Sequence, residues 1–172
     1  MHDLDVPVSG RAWVFGDSID TDVIYPYYRY PSEAEVRKHT MEAVCPIFPL
    51  EVRRGDLLVA GRNFGCGSSR LGSILIDVGI AAIVAESFSR LFFRNCVAQA
   101  IPVIVAPGVS SFVATGETLL IDYQSRRLIN ETRADSLAIR PFPAMIEDIY
   151  RAGGILQLAR QRFTDPVRTG RS

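Results

Sequence analysis

Three short, continuously apolar runs stand out in the middle of the chain: Leu57-Leu58-Val59-Ala60, Ile80-Ala81-Ala82-Ile83-Val84-Ala85 and Ile101-Pro102-Val103-Ile104-Val105-Ala106. Runs of this length without polar interruption predict strands buried on both faces. Between them the periodicity changes. Leu71, Ile74, Leu75 and Val78 recur at helical spacing, and so do Phe88, Leu91, Phe92 and Cys96 behind Ser87, a candidate helix cap. Strands alternating with helices predict an α/β fold with a partly parallel sheet flanked by helices.

The flanks are simpler. Residues 1–10 are polar and predict a loose lead-in to a short strand over Arg11–Phe15. Ser32 with Glu35 is a capping-box signature for a helix near 33–44, which Pro46 and Pro49 end. His39 on that helix reads as a solvated residue. After Val109, the segments 118–122 and 127–130 predict a hairpin across Gln124-Ser125. Pro141 and Pro143 lead into a helix near 144–152, stopped by Gly153-Gly154. A short helix over Leu156–Arg162 follows, and 163–172 reads as a second loose end. With no linker, repeat or low-complexity tract, residues 1–172 are expected to form a single domain.

Charge and cysteine content narrow the possibilities. Acidic and basic residues balance at 19 each, so no global field favours nucleic acid or an anionic membrane. Cys45, Cys66 and Cys96 lie far apart without a C-x-x-C pair. They make neither a disulfide framework nor a self-contained zinc or iron–sulfur site. The N-terminus lacks the basic patch and apolar stretch of a signal peptide, and no run approaches membrane-spanning length, so a cytoplasmic location is expected.

The chemistry is concentrated in Gly61-Arg62-Asn63-Phe64-Gly65-Cys66-Gly67-Ser68-Ser69-Arg70. Glycines let a turn pass close to a ligand. Ser68, Ser69 and Arg70 are expected on the first helical turn, where free N–H groups and the helix dipole favour an anion. Arg70 is suited to bidentate binding of a carboxylate or phosphate. The stretch is not a Walker loop, a dinucleotide fingerprint or a nucleophile elbow. A capped helix start with closely packed glycines fits the spacing equally well. Upstream, Asp17, Asp20 and Asp22 lack the glycine and distal glutamate of an EF-hand, which favours an acidic loop with one aspartate turned inward over a metal site. In Pro26-Tyr27-Tyr28-Arg29-Tyr30-Pro31, Arg29 is a candidate acid-binding residue among tyrosines; a surface loop with aromatic anchors is the other reading.

Four stretches then recur in a familiar order: Gly16-Asp17-Ser18-Ile19-Asp20-Thr21-Asp22, the Gly61–Arg70 stretch, Ile83-Val84-Ala85-Glu86-Ser87-Phe88-Ser89-Arg90-Leu91-Phe92-Phe93-Arg94-Asn95, and Ala152-Gly153-Gly154. From about Gly10 to Gln157 the chain resembles the small subunits of 3-isopropylmalate dehydratase, the detached swivelling domain of the aconitase superfamily. The resemblance implies a swivelling β/β/α domain with a mixed sheet. It implies a large partner subunit, in a heterodimer or heterotetramer, that carries a [4Fe–4S] cluster, with no cofactor or metal on this chain. It also implies dehydration and rehydration of a 2-hydroxy acid, interconverting 2- and 3-isopropylmalate in leucine biosynthesis.

By the same resemblance Ser68 is the base, acting as an alkoxide, and Asp22 is the active-site aspartate. Ser69 and Arg70 bind substrate carboxylate, and Arg29 lies in the loop that separates substrates. Three departures bear on specificity: Leu71-Gly72-Ser73 stands where relatives read Glu-His-Ala, Tyr28 stands where they often read leucine, and Tyr30 follows Arg29, placed to reshape the pocket around the substrate's side group. Small subunits acting on homoaconitate, citraconate/methylmalate or dimethylmalate-like acids, and a non-catalytic carboxylate-binding or assembly module, are the alternatives.

Overall fold

A computed structural model describes residues 4–67 and 73–164. Its elements run β1 (Val8–Phe15), α1 (Thr21–Ile24), α2 (Glu33–Lys38), α3 (Phe48–Glu51), β2 (Leu57–Ala60), α4 (Ser73–Asp77) and β3 (Ala82–Ala85). They continue through α5 (Arg90–Ala98), β4 (Val103–Val105), α6 (Val109–Phe112), β5 (Thr118–Asp122), β6 (Arg127–Asn130), β7 (Asp135–Ala138), α7 (Ala144–Ala152) and α8 (Ile155–Thr164). The strands form one sheet in the order β4-β3-β2-β1-β5-β6-β7. β1 to β4 are parallel neighbours, and β5 to β7 pair antiparallel, so the sheet is mixed.

The two halves differ for the reason their patterns differ. Every residue of β2 and β3 is buried. Leu58, Ala60, Ile83 and Ala85 belong to one apolar layer, and Leu57, Val59, Ala82 and Val84 to the other. Strands sandwiched in this way must be apolar at every position. β5 instead alternates buried and half-buried residues, as a strand with one covered face does. The sheet curls until the segment after β7 meets its far edge, where the Arg140 N–H donates to the Val105 carbonyl at 3.2 Å.

Several local expectations are corrected. Residues 4–10 are no loose lead-in. Leu4 is buried in the core, and β1 starts at Val8 because Val8–Arg11 pair with Thr118–Ile121 of β5. The helix capped by Ser32 has the expected bond, Glu35 N–H to Ser32 Oγ, but ends at Lys38, not near 44. Met41, three residues on, has φ +62° and donates its N–H across to Val23, which a continuing helix forbids. Ser89, not Ser87, caps α5 by accepting from Phe92 N–H. The buried face is therefore Phe92, Cys96 and Val97, and Leu91 is left exposed. The 118–130 hairpin and the 144–152 helix, with Gly153 left-handed at its end, match the expectation; α8 extends to Thr164, past the expected end at Arg162.

Candidate functional site

Three loops leave the carboxyl ends of parallel strands β1, β2 and β3 side by side, the end of such a sheet where ligand crevices form. Backbone bonds lace them together. Ser18 N–H donates to Arg62 O at 2.7 Å, Gly65 N–H to Ile19 O at 2.9 Å and Thr21 N–H to Cys66 O at 2.8 Å. On the other side Phe64 N–H donates to Ser87 O at 3.0 Å, and Asn63 N–H to Ser87 Oγ at 2.9 Å. Ser87 therefore ties the β3 loop to the glycine-rich turn and caps no helix.

The aspartates of the first loop divide their work. Asp17 Oδ1 accepts from Arg62 N–H at 2.7 Å, and its Oδ2 lies 3.1 Å from the Arg62 guanidinium. That N–H and then the guanidinium hold the Asp17 carboxyl below the ordinary carboxylate range. Asp20 caps α1 by accepting from Asp22 N–H at 2.7 Å. Asp22 is half-buried and lines a cavity of about 270 Å³, the inward aspartate expected of this loop.

The structure brings Asp22 and Arg29 together, since both line that cavity. The aromatic loop divides between the two readings made of it. Tyr27 and Tyr28 are exposed, while Tyr30 turns back and stacks on His39. His39 is thus no solvated helix residue. It is half-buried beyond the end of α2, with Nδ1 2.7 Å from Glu42 Oε2. Tyr30 stands in the cavity wall, as its place after Arg29 suggested, but sequence reasoning missed His39 and Glu42 there; the i,i+3 placement of a histidine and an acid was the available signal.

Ser68, Ser69 and Arg70 lie outside the described residues, as do Leu71 and Gly72. The approach to them is described. Gly67 has φ +97°, and a Cβ there would stand 2.6 Å from Asp20 Oδ2. At Gly67 the backbone is therefore pressed against the loop that carries Asp22. The tight contact requires glycine.

The cysteines do not assemble. Cys96 is fully buried on the inner face of α5, Cys45 packs half-buried at the edge of the core, and the Cys66 thiol donates to Ser18 O at 3.3 Å. Among the described residues no group of three His, Cys, Asp or Glu side chains could hold a metal ion. A four-iron cluster does not fit these residues. Among the described residues, too, no helix is long and apolar enough to cross a membrane.

The aconitase C-terminal domain profile matches residues 19–107, and the chain belongs to that family. Within it, the chain is 40% identical over 158 residues to the 3-isopropylmalate dehydratase small subunit 1 of Methanopyrus kandleri, covering 90% of this chain and 93% of that one. It is 41% identical to the methanogen homoaconitase small subunit of Methanothermobacter thermautotrophicus, over 87% of this chain and 88% of that one. The crystal structure of 3-isopropylmalate dehydratase from Methanocaldococcus jannaschii superposes with a TM-score of 0.85 at 31% identity, covering 96% of this chain and all of that chain. The mixed, curled sheet flanked by helices is the architecture the resemblance implied.

Proposed function

We infer that this chain is the small subunit of a two-subunit hydro-lyase that interconverts 2- and 3-isopropylmalate by loss and readdition of water. Small-subunit relatives at this identity over nearly their whole length support the reading. The observation that carries it is the cavity shared by Asp22 and Arg29 beside the approach to Ser68.

The reaction removes a weakly acidic C–H proton and a neighbouring hydroxide, then returns water with the positions exchanged. Ser68 takes the proton as an alkoxide, stabilised by backbone N–H groups and Arg70. Ser69, Arg70 and Arg29 hold the carboxylates, where a guanidinium gives paired hydrogen bonds. Asp22 handles the proton that accompanies departing or returning water. The large subunit bears a [4Fe–4S] cluster whose Lewis acidity assists loss of hydroxide. The assembly is a cytoplasmic heterodimer or heterotetramer, with residues 1–172 of this chain as one domain.

Small subunits of a homoaconitase and of an isopropylmalate/citramalate isomerase are about as similar to this chain, so overall identity does not choose the acid. The cavity wall does favour one. Val23, Pro26, Tyr28 and Tyr30 line it, and among the described residues Arg29 is the sole arginine that does. A branched aliphatic side group suits the carbon of those side chains.

The test is to mix the purified chain with its large subunit and assay isopropylmalate, homoaconitate and citraconate in parallel. Isopropylmalate is expected to have the highest kcat/KM. Ser68→Ala should cut turnover by about 10²–10⁴-fold without loss of assembly. Normal turnover in that variant would overturn the base assignment.

A further inference from the structure

We propose that the hollow rimmed by Arg90, Arg94 and Arg140, with Phe88 and Phe93 as its apolar part, is where an acidic segment of the large subunit docks. The inference rests on the two-subunit reading above and assigns that contact to particular residues.

The hollow measures about 430 Å³ and opens at the carboxyl ends of β3 and β4. Arg90 and Arg94 stand four residues apart on α5 and so share a helix face. Arg140 comes from the other end of the chain, delivered by the curl that bonds its N–H to Val105 O. All three side chains are exposed, and none makes an ion pair or side-chain hydrogen bond with another described residue. The acid in this lining, Glu86, already accepts the Ser110 hydroxyl. Like charges four apart on a helix repel each other. Three guanidinia against one engaged carboxylate leave a positive excess that the described residues do not neutralise here.

Chemistry and position both indicate a protein partner. Arginine and aromatic residues are enriched at interfaces, and Leu91 on the same helix is a further apolar side chain left 46% exposed. The hollow is continuous with the glycine-rich turn: Phe88 packs edge-on against Phe64 with ring centroids 6.1 Å apart, and Ser87 binds that turn through its backbone and hydroxyl. A large subunit that completes the site at residue 68 must come up to this turn. The uncompensated arginines lie directly beside its path.

The test titrates the full chain against its purified large subunit by sedimentation at low and high salt. Arg90→Glu/Arg94→Glu is expected to raise Kd at least about tenfold at low salt and to flatten the salt dependence of binding. Arg140→Glu should act in the same direction, and Arg→Lys variants should bind close to wild type. Circular dichroism of the isolated variants checks folding, with Arg→Gln changes used where reversal disturbs it. Unchanged Kd in the reversed variants overturns the proposal and leaves the two-subunit reading intact. Unchanged Kd with a raised KM would make the hollow a small-anion site instead. Failure of the wild-type chain to bind any large subunit would remove both readings.

Discussion

Tyr30 and His39 lie face to face, ring centroids 3.9 Å apart and planes 2° from parallel. Glu42 completes the arrangement, with Oε2 2.7 Å from His39 Nδ1 and 3.5 Å from the Tyr30 hydroxyl. The stack ties the loop carrying Arg29 to the turns after α2, so one wall of the cavity is held by contacts between its own side chains. A stacked pair of this kind contributes about 0.5–1.5 kcal/mol.

Loss of that contribution should appear in substrate binding. Tyr30→Ala is expected to raise KM about three- to tenfold in the reconstituted pair with kcat nearly unchanged, and Tyr30→Phe to keep the wild-type value. Steady-state kinetics decide it. An equal fall in kcat for both variants would count against a positioning role.

The glycine-rich turn predicts two different failures. At Gly65, φ is +74° and a Cβ would sit 2.2 Å from the Phe92 ring, which is core. Gly65→Ala should cost about 1–3 kcal/mol. That corresponds to roughly 2–4 °C of Tm per kcal/mol at this size, read by thermal unfolding. At Gly67 the clash is with the Asp20 carboxylate, outside the core. Gly67→Ala should therefore lose turnover before it loses Tm. Identical behaviour of the two would contradict this division.

Asp56 makes stability depend on acid. Burial by itself would raise its carboxyl, but bonds from Arg11 Nη2 and Trp13 Nε1, both 2.8 Å, and from Arg53 N–H at 3.0 Å outweigh burial and hold it below the ordinary value. A pKa lowered in the folded state stabilises above the unfolded value, about 3.9, and that stability is lost as pH falls through the folded one. Urea unfolding should show wild type weakening below about pH 4. Asp56→Asn should be less stable at neutral pH by about 1–3 kcal/mol and should lose less stability between pH 5 and 2. Parallel pH profiles would exclude this carboxylate as a source of the acid sensitivity.

The thiols should be slow to react. Burial pushes Cys96 up to about 12. Desolvation, followed by the neighbouring Asp20 carboxylate, raises Cys66. Since the thiolate is the reactive species, Cys96 should resist alkylation at pH 8 until the chain unfolds, and Cys66 should react more slowly than a free thiol. Peptide mapping after timed alkylation checks both, and rapid native labelling of Cys96 would contradict the packing of α5.

Much of this was legible one segment at a time. The unbroken apolar runs marked β2, β3 and β4, the alternation at 118–130 marked a hairpin, and Gly153 marked a helix end, because burial on two faces, burial on one face and left-handed backbone each leave a local signature. The motif order was enough to indicate the family. What the sequence could not show was set by distant partners. β5 draws Val8–Arg11 into the sheet, Met41 bends toward Val23 and ends α2 early, and the curl carries Arg140 to Arg90 and Arg94. His39 became a cavity wall for the same reason: stacking on Tyr30 depends on where two loops meet in space, and side-chain type along the chain does not encode that meeting.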